Sequence, residues 1–181
     1  MNAEVEIKIK CRNFTALKKS LKKARAKLIG KVRQIDTYYL VEPDSRFRLA
    51  PRLRVRDDLT KKKSFLEYHV PDKNYRKTMS CREYEVLINK PETMKFIIQN
   101  LGFKKDVVIS KTREKYQLGQ INIDLDSVKG LGHFAEFEII NRDYKSRLKS
   151  IYALVEKLGL NRDDSCNGLT YLDMAWEKLK K

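Results

Sequence analysis

A chain of 181 residues has the length of one domain and can bury a sizeable core without disulfide or metal staples. Forty Lys and Arg against 24 Asp and Glu give a formal charge of +16, which favours polyanionic partners such as nucleotides, inorganic polyphosphate or RNA without choosing among them. Cys11, Cys81 and Cys166 lack paired zinc spacing, and no apolar run approaches the roughly 20 residues of a membrane span, so a reduced, cytoplasmic, soluble protein is expected.

The first predicted element is a strand at Glu4-Val5-Glu6-Ile7-Lys8, whose strict alternation puts Glu4, Glu6 and Lys8 on one face. Asn13 is placed to cap a helix with Phe14, Leu17, Leu21 and Leu28 at helical spacing and Gly30 closing it. Strands are expected over 32–41 and 46–56 around a turn at Glu42-Pro43-Asp44-Ser45, then at Ser64–Val70 after a loop rich in Lys and Asp, and at Arg82–Ile88. Pro91–Leu101 gathers Met94, Ile97, Ile98 and Leu101 on one face and ends at Gly102, the pattern of a short helix. Further strands follow near Val107–Arg113, Lys115–Leu118, Gln120–Leu125 and His133–Ile140, with Gly119 suited to a turn. Asp143–Leu158 predicts the strongest helix, and a last one runs from about Thr170 to Lys180.

Groups of strands alternate with single helices, twice over, and no low-complexity linker divides them. This predicts an α+β fold over residues 1–181, with a large antiparallel sheet or barrel and helices outside.

Like charges two residues apart recur on several strands. Besides Glu4, Glu6 and Lys8, Arg54 and Arg56 follow Arg52, Glu83 and Glu85 flank Tyr84, Lys111 and Arg113 flank Thr112, Asp124 and Asp126 flank Leu125, and Glu136 and Glu138 flank Phe137. A single strand of this kind is usually the wet side of a sheet. Segregated doublets are different, because adjacent like charges on one face repel unless ligands or counterions compensate them. The carboxylates Glu4, Glu6, Glu83, Glu85, Asp126, Glu136 and Glu138 are oxygen donors of the kind that bind magnesium or manganese. Lys8, Arg54, Arg56, Lys111 and Arg113 suit phosphate, arginine through its planar fork and lysine as a point charge. The Lys-rich runs at 18–27, 61–63 and 178–181 read instead as solvated surface.

These residues resemble the CYTH domain of the triphosphate tunnel metalloenzymes. The family's Glu-x-Glu-x-Lys signature stands at Glu4, Glu6 and Lys8. The likeness continues through Gln34-Ile35-Asp36-Thr37-Tyr38-Tyr39, Leu53-Arg54-Val55-Arg56 and Arg82-Glu83-Tyr84-Glu85-Val86. It resumes at Lys111-Thr112-Arg113, at Leu125 through Gly132 leading to Phe134-Ala135-Glu136-Phe137-Glu138, and at Thr170-Tyr171-Leu172-Asp173. The resemblance implies an eight-stranded antiparallel β-barrel closed into a tunnel, with helices packed outside. It also implies Mg2+ or Mn2+ on Glu4, Glu6, Glu136 and Glu138, a triphosphate on Lys8, Arg54, Arg56, Lys111 and Arg113, and catalytic work shared by Glu4, Glu6, Lys8, Glu83, Glu85 and Asp126. Members include class IV adenylyl cyclases, thiamine triphosphatases and inorganic tripolyphosphatases, and more distantly RNA triphosphatases. Related chains often pair, which makes a homodimer part of the expectation.

The turn Gly130-Leu131-Gly132 is most similar to the adenylyl cyclase-like branch, which implies conversion of ATP to cyclic AMP and pyrophosphate, with hydrolysis of an inorganic or organic triphosphate as the alternative. One strand departs from the family pattern. Where Thr-x-Lys-Gly-Pro is usual, this chain has Glu67-Tyr68-His69-Val70-Pro71, so an imidazole replaces a fixed ammonium. A non-catalytic triphosphate- or RNA-binding module is therefore a third reading, although no surface motif of the known RNA readers is present.

Overall fold

The computed structural model describes residues 4–40, 51–71, 81–140, 144–166 and 168–180. They form eight strands: β1 (Glu4–Cys11), β2 (Lys27–Leu40), β3 (Arg52–Asp58), β4 (Lys63–Pro71), β5 (Cys81–Ile88), β6 (Lys104–Leu118), β7 (Ile121–Val128) and β8 (Gly132–Ile140). The helices among them are α1 (Thr15–Lys23), α2 (Pro91–Asn100), α3 (Tyr144–Lys157) and α4 (Tyr171–Leu179). The strand order is β1-β8-β7-β6-β2-β3-β4-β5. This is the expected α+β arrangement of an eight-stranded antiparallel sheet with helices.

The boundaries differ from the sequence expectation in instructive places. The helix after β1 is shorter than its apolar pattern: α1 ends at Lys23, Arg25 takes a left-handed φ of 62°, and Leu28 and Gly30 lie in β2. Asn13 does accept from the Thr15 backbone N–H at 3.1 Å. The two strands expected on either side of Glu114 are one continuous strand, β6, which turns at Gly119 with φ 58°. Closure is the other difference. Among the described residues β1 and β5 stand at opposite ends of the strand order, with no hydrogen-bonded ladder between them. Edge strand β5 presents exposed Arg82, Glu83 and Glu85, charges of the kind that discourage edge pairing. The turn at 42–45, the strand start at 46–50 and the Asp143 cap lie outside the described residues.

Contacts divide the chain into two compact units. The first contains the described residues within Met1–Lys31 and Thr112–Gly168. Its register sets Ile7 opposite Phe137, Ile9 opposite Ala135, Ile123 opposite Phe137 and Leu125 opposite Ala135. Because side chains alternate along a strand, these apolar residues share one face. That face is covered by Leu17 and Leu21 of α1 and by Ile151 and Val155 of α3, which are buried with it.

The second unit contains the described residues within Val32–Tyr75, Ser80–Lys111 and Leu169–Lys181. Here Tyr39, Val55, Ile88 and Ile98 form the core, with Leu53, Leu66, Met94 and Phe103 packed against it. Helix α4 is fixed at its N-terminus by a capping box: Thr170 accepts from the Asp173 N–H, and Asp173 accepts from the Thr170 N–H at 2.9 Å. The same carboxylate takes Arg52 Nη2 at 3.1 and 3.3 Å, so one aspartate starts a helix and neutralises a buried guanidinium on β3. Trp176 Nε1 donates to Asp106 at 2.6 Å and anchors the same helix. No described helix is long and apolar enough to cross a membrane.

Two stability outcomes follow. Phe137→Ala removes a fully buried ring and should cost about 3–5 kcal/mol in urea unfolding. Asp173→Ala strands a buried guanidinium and removes a helix cap, so it should cost about 3–5 kcal/mol, whereas a loss under ~1 kcal/mol would show that Arg52 finds another partner.

Candidate active site

Opposite the core of the first unit, the same registers gather the charged doublets of β1, β7 and β8. Glu6 pairs across from Glu138, Lys8 from Glu136, and Asp124 from Glu136. Lys8 Nζ lies 3.3 Å from Glu6 Oε1 and 3.1 Å from Glu136 Oε1. Arg113 enters from β6 and spreads its guanidinium over three acids: Nε donates to Asp126 at 2.7 Å, Nη1 lies 2.7 Å from Asp124, and Nη2 donates to Glu136. Glu136 therefore bridges the lysine and the arginine.

Among the described residues, the ion pairs of this cluster join two cations, Lys8 and Arg113, to four carboxylates, Glu6, Asp124, Asp126 and Glu136. Its electrostatics reflect that excess. Burial, with Glu136 adding to it, pushes the Glu6 carboxyl above its ordinary value despite Lys8. Asp124 is raised by burial and by the charges of Asp126 and Glu136, against Arg113 and Lys115. For Lys8, burial opposes the charge, yet Glu136 and Glu6 hold the ammonium above its ordinary value.

The second unit builds a balanced counterpart. Arg54 on β3 stands opposite Tyr38 and Glu67, and Arg56 stands opposite Asp36 and Phe65. Arg54 donates from Nε to Glu67 Oε2 at 2.8 Å and from Nη1 to the Tyr38 hydroxyl at 2.7 Å. Arg56 donates from Nε and Nη2 to the two oxygens of Asp36, at 2.7 and 2.8 Å. His69 Nε2 lies 3.1 Å from Glu67, and its Nδ1 lies 3.3 Å from exposed Glu83. Burial opposes ionisation of Asp36, but Arg54 and Arg56 hold its carboxyl well below the usual carboxylate range. Glu67 behaves alike: burial works against the charge, and the His69 hydrogen bond and the two arginines outweigh it, lowering the value from 4.5 to about 2.

The sequence-predicted residues thus fall into two groups. Glu6, Lys8, Arg113, Asp126 and Glu136 meet in the first unit, with Glu138 one residue pair further along the same face. Arg54 and Arg56 meet in the second, where Lys111 is buried with its Nζ 5.5 Å from the Tyr171 ring centroid. Glu83 and Glu85 are exposed on β5, Glu83 beside His69 and Glu85 opposite Glu67 in the register. Glu4 faces Ile140 in the β1–β8 ladder, and its side chain lies outside the described residues.

Sequence reasoning missed Asp36, Glu67 and Asp124 as site residues. Each sits at period two with its neighbours, Asp36 with Tyr38, Glu67 with His69 and Asp124 with Asp126, and only the cross-strand register shows which arginine each one meets. Tyr38 and Tyr39 are both buried, and Tyr39 belongs to the core.

The carboxylates of the first unit fit a hard divalent cation by donor type, since magnesium and manganese prefer oxygen. The excess of acids over cations in the cluster points the same way. Among the described residues, no group of three or more His, Cys, Asp or Glu side chains converges as a ready-made ligand set.

Glu67 gives a pH prediction. Its folded value lies below its unfolded value, so its contribution to stability is present above pH 4.5 and is lost as the pH falls through about 2. The stability advantage of the native chain over Glu67→Gln should shrink steadily as the pH falls below about 4.5 in urea titrations. An advantage that grew on acidification would contradict the ion-pair geometry.

The CYTH domain profile matches residues 2–166. A Methanocaldococcus jannaschii protein named "Putative adenylate cyclase" is 33% identical over 165 residues, covering 89% of this chain and 92% of its own length. The solved structure of the PH1012 protein from Pyrococcus horikoshii superposes with a TM-score of 0.79 at 28% identity, over 94% of this chain and 98% of that one. A Hippeastrum protein, described as a putative adenylyl cyclase with a dominant triphosphatase activity, shares the fold alone, with a TM-score of 0.65 at 13% identity over 88% of this chain and 89% of that one. With the family profile matching residues 2–166, most of its length, this chain belongs to the CYTH domain family.

Proposed function

We propose that this protein binds a triphosphate together with a divalent metal ion and cleaves it, the first reaction to test being conversion of ATP to cyclic AMP and pyrophosphate. The observation that carries the reading is the charge imbalance of the β1–β7–β8–β6 cluster, where two cations serve four carboxylates. A divalent cation relieves that imbalance, and a polyphosphate brings the negative charge that Lys8 and Arg113 are built to meet.

In this reading Glu6, Glu136 and Glu138, with Glu4, hold Mg2+ or Mn2+, which when bound supplies charge neutralisation on phosphate oxygens. The protein's own residues do the remaining work. Lys8 is kept charged by its two glutamates and offers a fixed ammonium to a phosphate. Asp124 and Asp126 hold the plane of Arg113 and fix the orientation of its guanidinium. Asp126, a catalytic acid of the same reading that is not among the metal-holding residues, accepts the proton of the attacking group. Arg54, Arg56 and Lys111 supply further positive charge for the phosphate chain.

In cyclisation the attacking group is the ribose 3′ oxygen: its proton leaves, it bonds to the α-phosphorus, and the bond to pyrophosphate breaks. Stabilising charge on that leaving group is the main electrostatic task. The archaeal relative of known name supports this choice. Hydrolysis is the second reading, with water attacking an inorganic or organic triphosphate. It is favoured by Tyr38 and Tyr39, which are buried in packing and hydrogen bonding rather than offered to a base.

The test is product analysis with ATP, inorganic tripolyphosphate and thiamine triphosphate, each with Mg2+ or Mn2+. Cyclic AMP with pyrophosphate supports the cyclase, and phosphate release supports the hydrolase. Binding without turnover marks a non-catalytic relative. Glu6→Gln should lower metal-dependent turnover by about 10- to 100-fold or more with an unchanged circular dichroism spectrum. Full activity in that variant would remove Glu6 from the chemistry.

A further inference from the structure

Arg54 and Arg56 are already served inside the protein. Arg54 uses Nε and Nη2 on Glu67 and Nη1 on Tyr38 and Asp36, while Arg56 holds Asp36 with Nε and Nη2. Two guanidinium groups are matched by two carboxylates, so a phosphate that takes the Arg54 fork competes with an acid already there. It must replace one of the two acids. Asp36 is the poor candidate, because it is short, buried and gripped by both arginines. Glu67 differs in three respects. It has one more methylene to swing on. Its Oε1 is buried without a hydrogen bond, in only an ion contact with Arg56 Nη1 at 3.3 Å. It also stands directly opposite Glu85 in the β4–β5 register, and like charges facing across a ladder repel, so its hold on Arg54 is what keeps it turned inward.

We infer that Glu67 is the specificity-determining residue of the proposed triphosphate site, an internal anion that occupies the Arg54 fork and yields it only to a phosphate of higher charge. The inference rests on the triphosphate reading above and adds the selection rule. A carboxylate brings one negative charge and two acceptor oxygens, whereas a terminal phosphate brings up to two charges and three oxygens. Singly charged phosphates within a chain or ring compete with Glu67 on nearly equal terms, and doubly charged chain ends displace it. His69 supports the same contact, since its Nε2 lies 3.1 Å from the Glu67 oxygen that Arg54 holds.

The experiment is calorimetric titration of the native chain, Glu67→Gln and Glu67→Asp with inorganic tripolyphosphate and with trimetaphosphate, at constant Mg2+. The two probes have the same three phosphorus atoms, but the ring lacks doubly charged ends. Glu67→Gln should bind tripolyphosphate at least about tenfold tighter than the native chain, with a larger gain still for trimetaphosphate, because freeing one charged fork is worth about one charge-assisted hydrogen bond. Glu67→Asp, which keeps the charge but shortens the reach, should fall between the two, and it decides by the same criterion should Glu67→Gln fail to fold. A native chain that binds, with variants that bind equally or more weakly, overturns the inference and leaves the triphosphate reading standing. Failure of all three proteins to bind either probe overturns both. A native chain that binds neither beside a Glu67→Gln variant that binds tripolyphosphate overturns the selection rule, because Glu67 then blocks the fork without yielding it to a doubly charged end.

Discussion

Everything described at the candidate site depends on one constraint: charged side chains that the sheet buries must find partners across strands, because an ionised group inside a protein is costly when left alone. Arg113 meets it with three acids, Lys8 with two, Arg52 with Asp173, and Arg54 and Arg56 with Asp36 and Glu67. Such pairs need residues directly opposite or diagonal to one another, which fixes register as firmly as the apolar face does. A slip of one residue in β1 would bury Glu6 and Lys8 among Phe137, Leu17 and Ile151, and expose Ile7.

The two units meet this constraint differently. In the first, acids outnumber cations and Glu6 and Asp124 are held above their ordinary values, an arrangement poised to accept positive charge. In the second, arginines and acids match in number and Asp36 and Glu67 are held down, an arrangement closed upon itself.

The departure at Glu67 and His69 also takes on a different meaning once the contacts are known. Read along the chain, His69 is the notable residue, because it replaces an expected lysine. In the fold, Glu67 is at least as consequential: it takes Arg54, lies beside Arg56 and meets His69, so the strand that lacks the fixed ammonium also supplies an extra internal anion. Both changes lower the net positive charge at β3 and β4. They act in the same direction on any polyphosphate that binds there.

Much of this was legible along the chain, for a physical reason. Period-two alternation of charge and apolar residues depends only on local strand geometry, so Glu6, Lys8, Arg54, Arg56, Arg113, Asp126 and Glu136 could be assigned to charged faces from spacing alone. The same reasoning located all four described helices, although α1 stopped early because Arg25 takes the left-handed conformation and starts β2 sooner than the apolar pattern of Leu28 suggests. What only the tertiary structure decided was who meets whom. Asp36 lies 20 positions from Arg56, Glu136 lies 23 from Arg113, and Asp173 lies 121 from Arg52. No local rule ties residues so far apart; their pairing is set by cross-strand register and by the docking of α4, so the balance of charge at each cluster became visible only once the sheet was assembled.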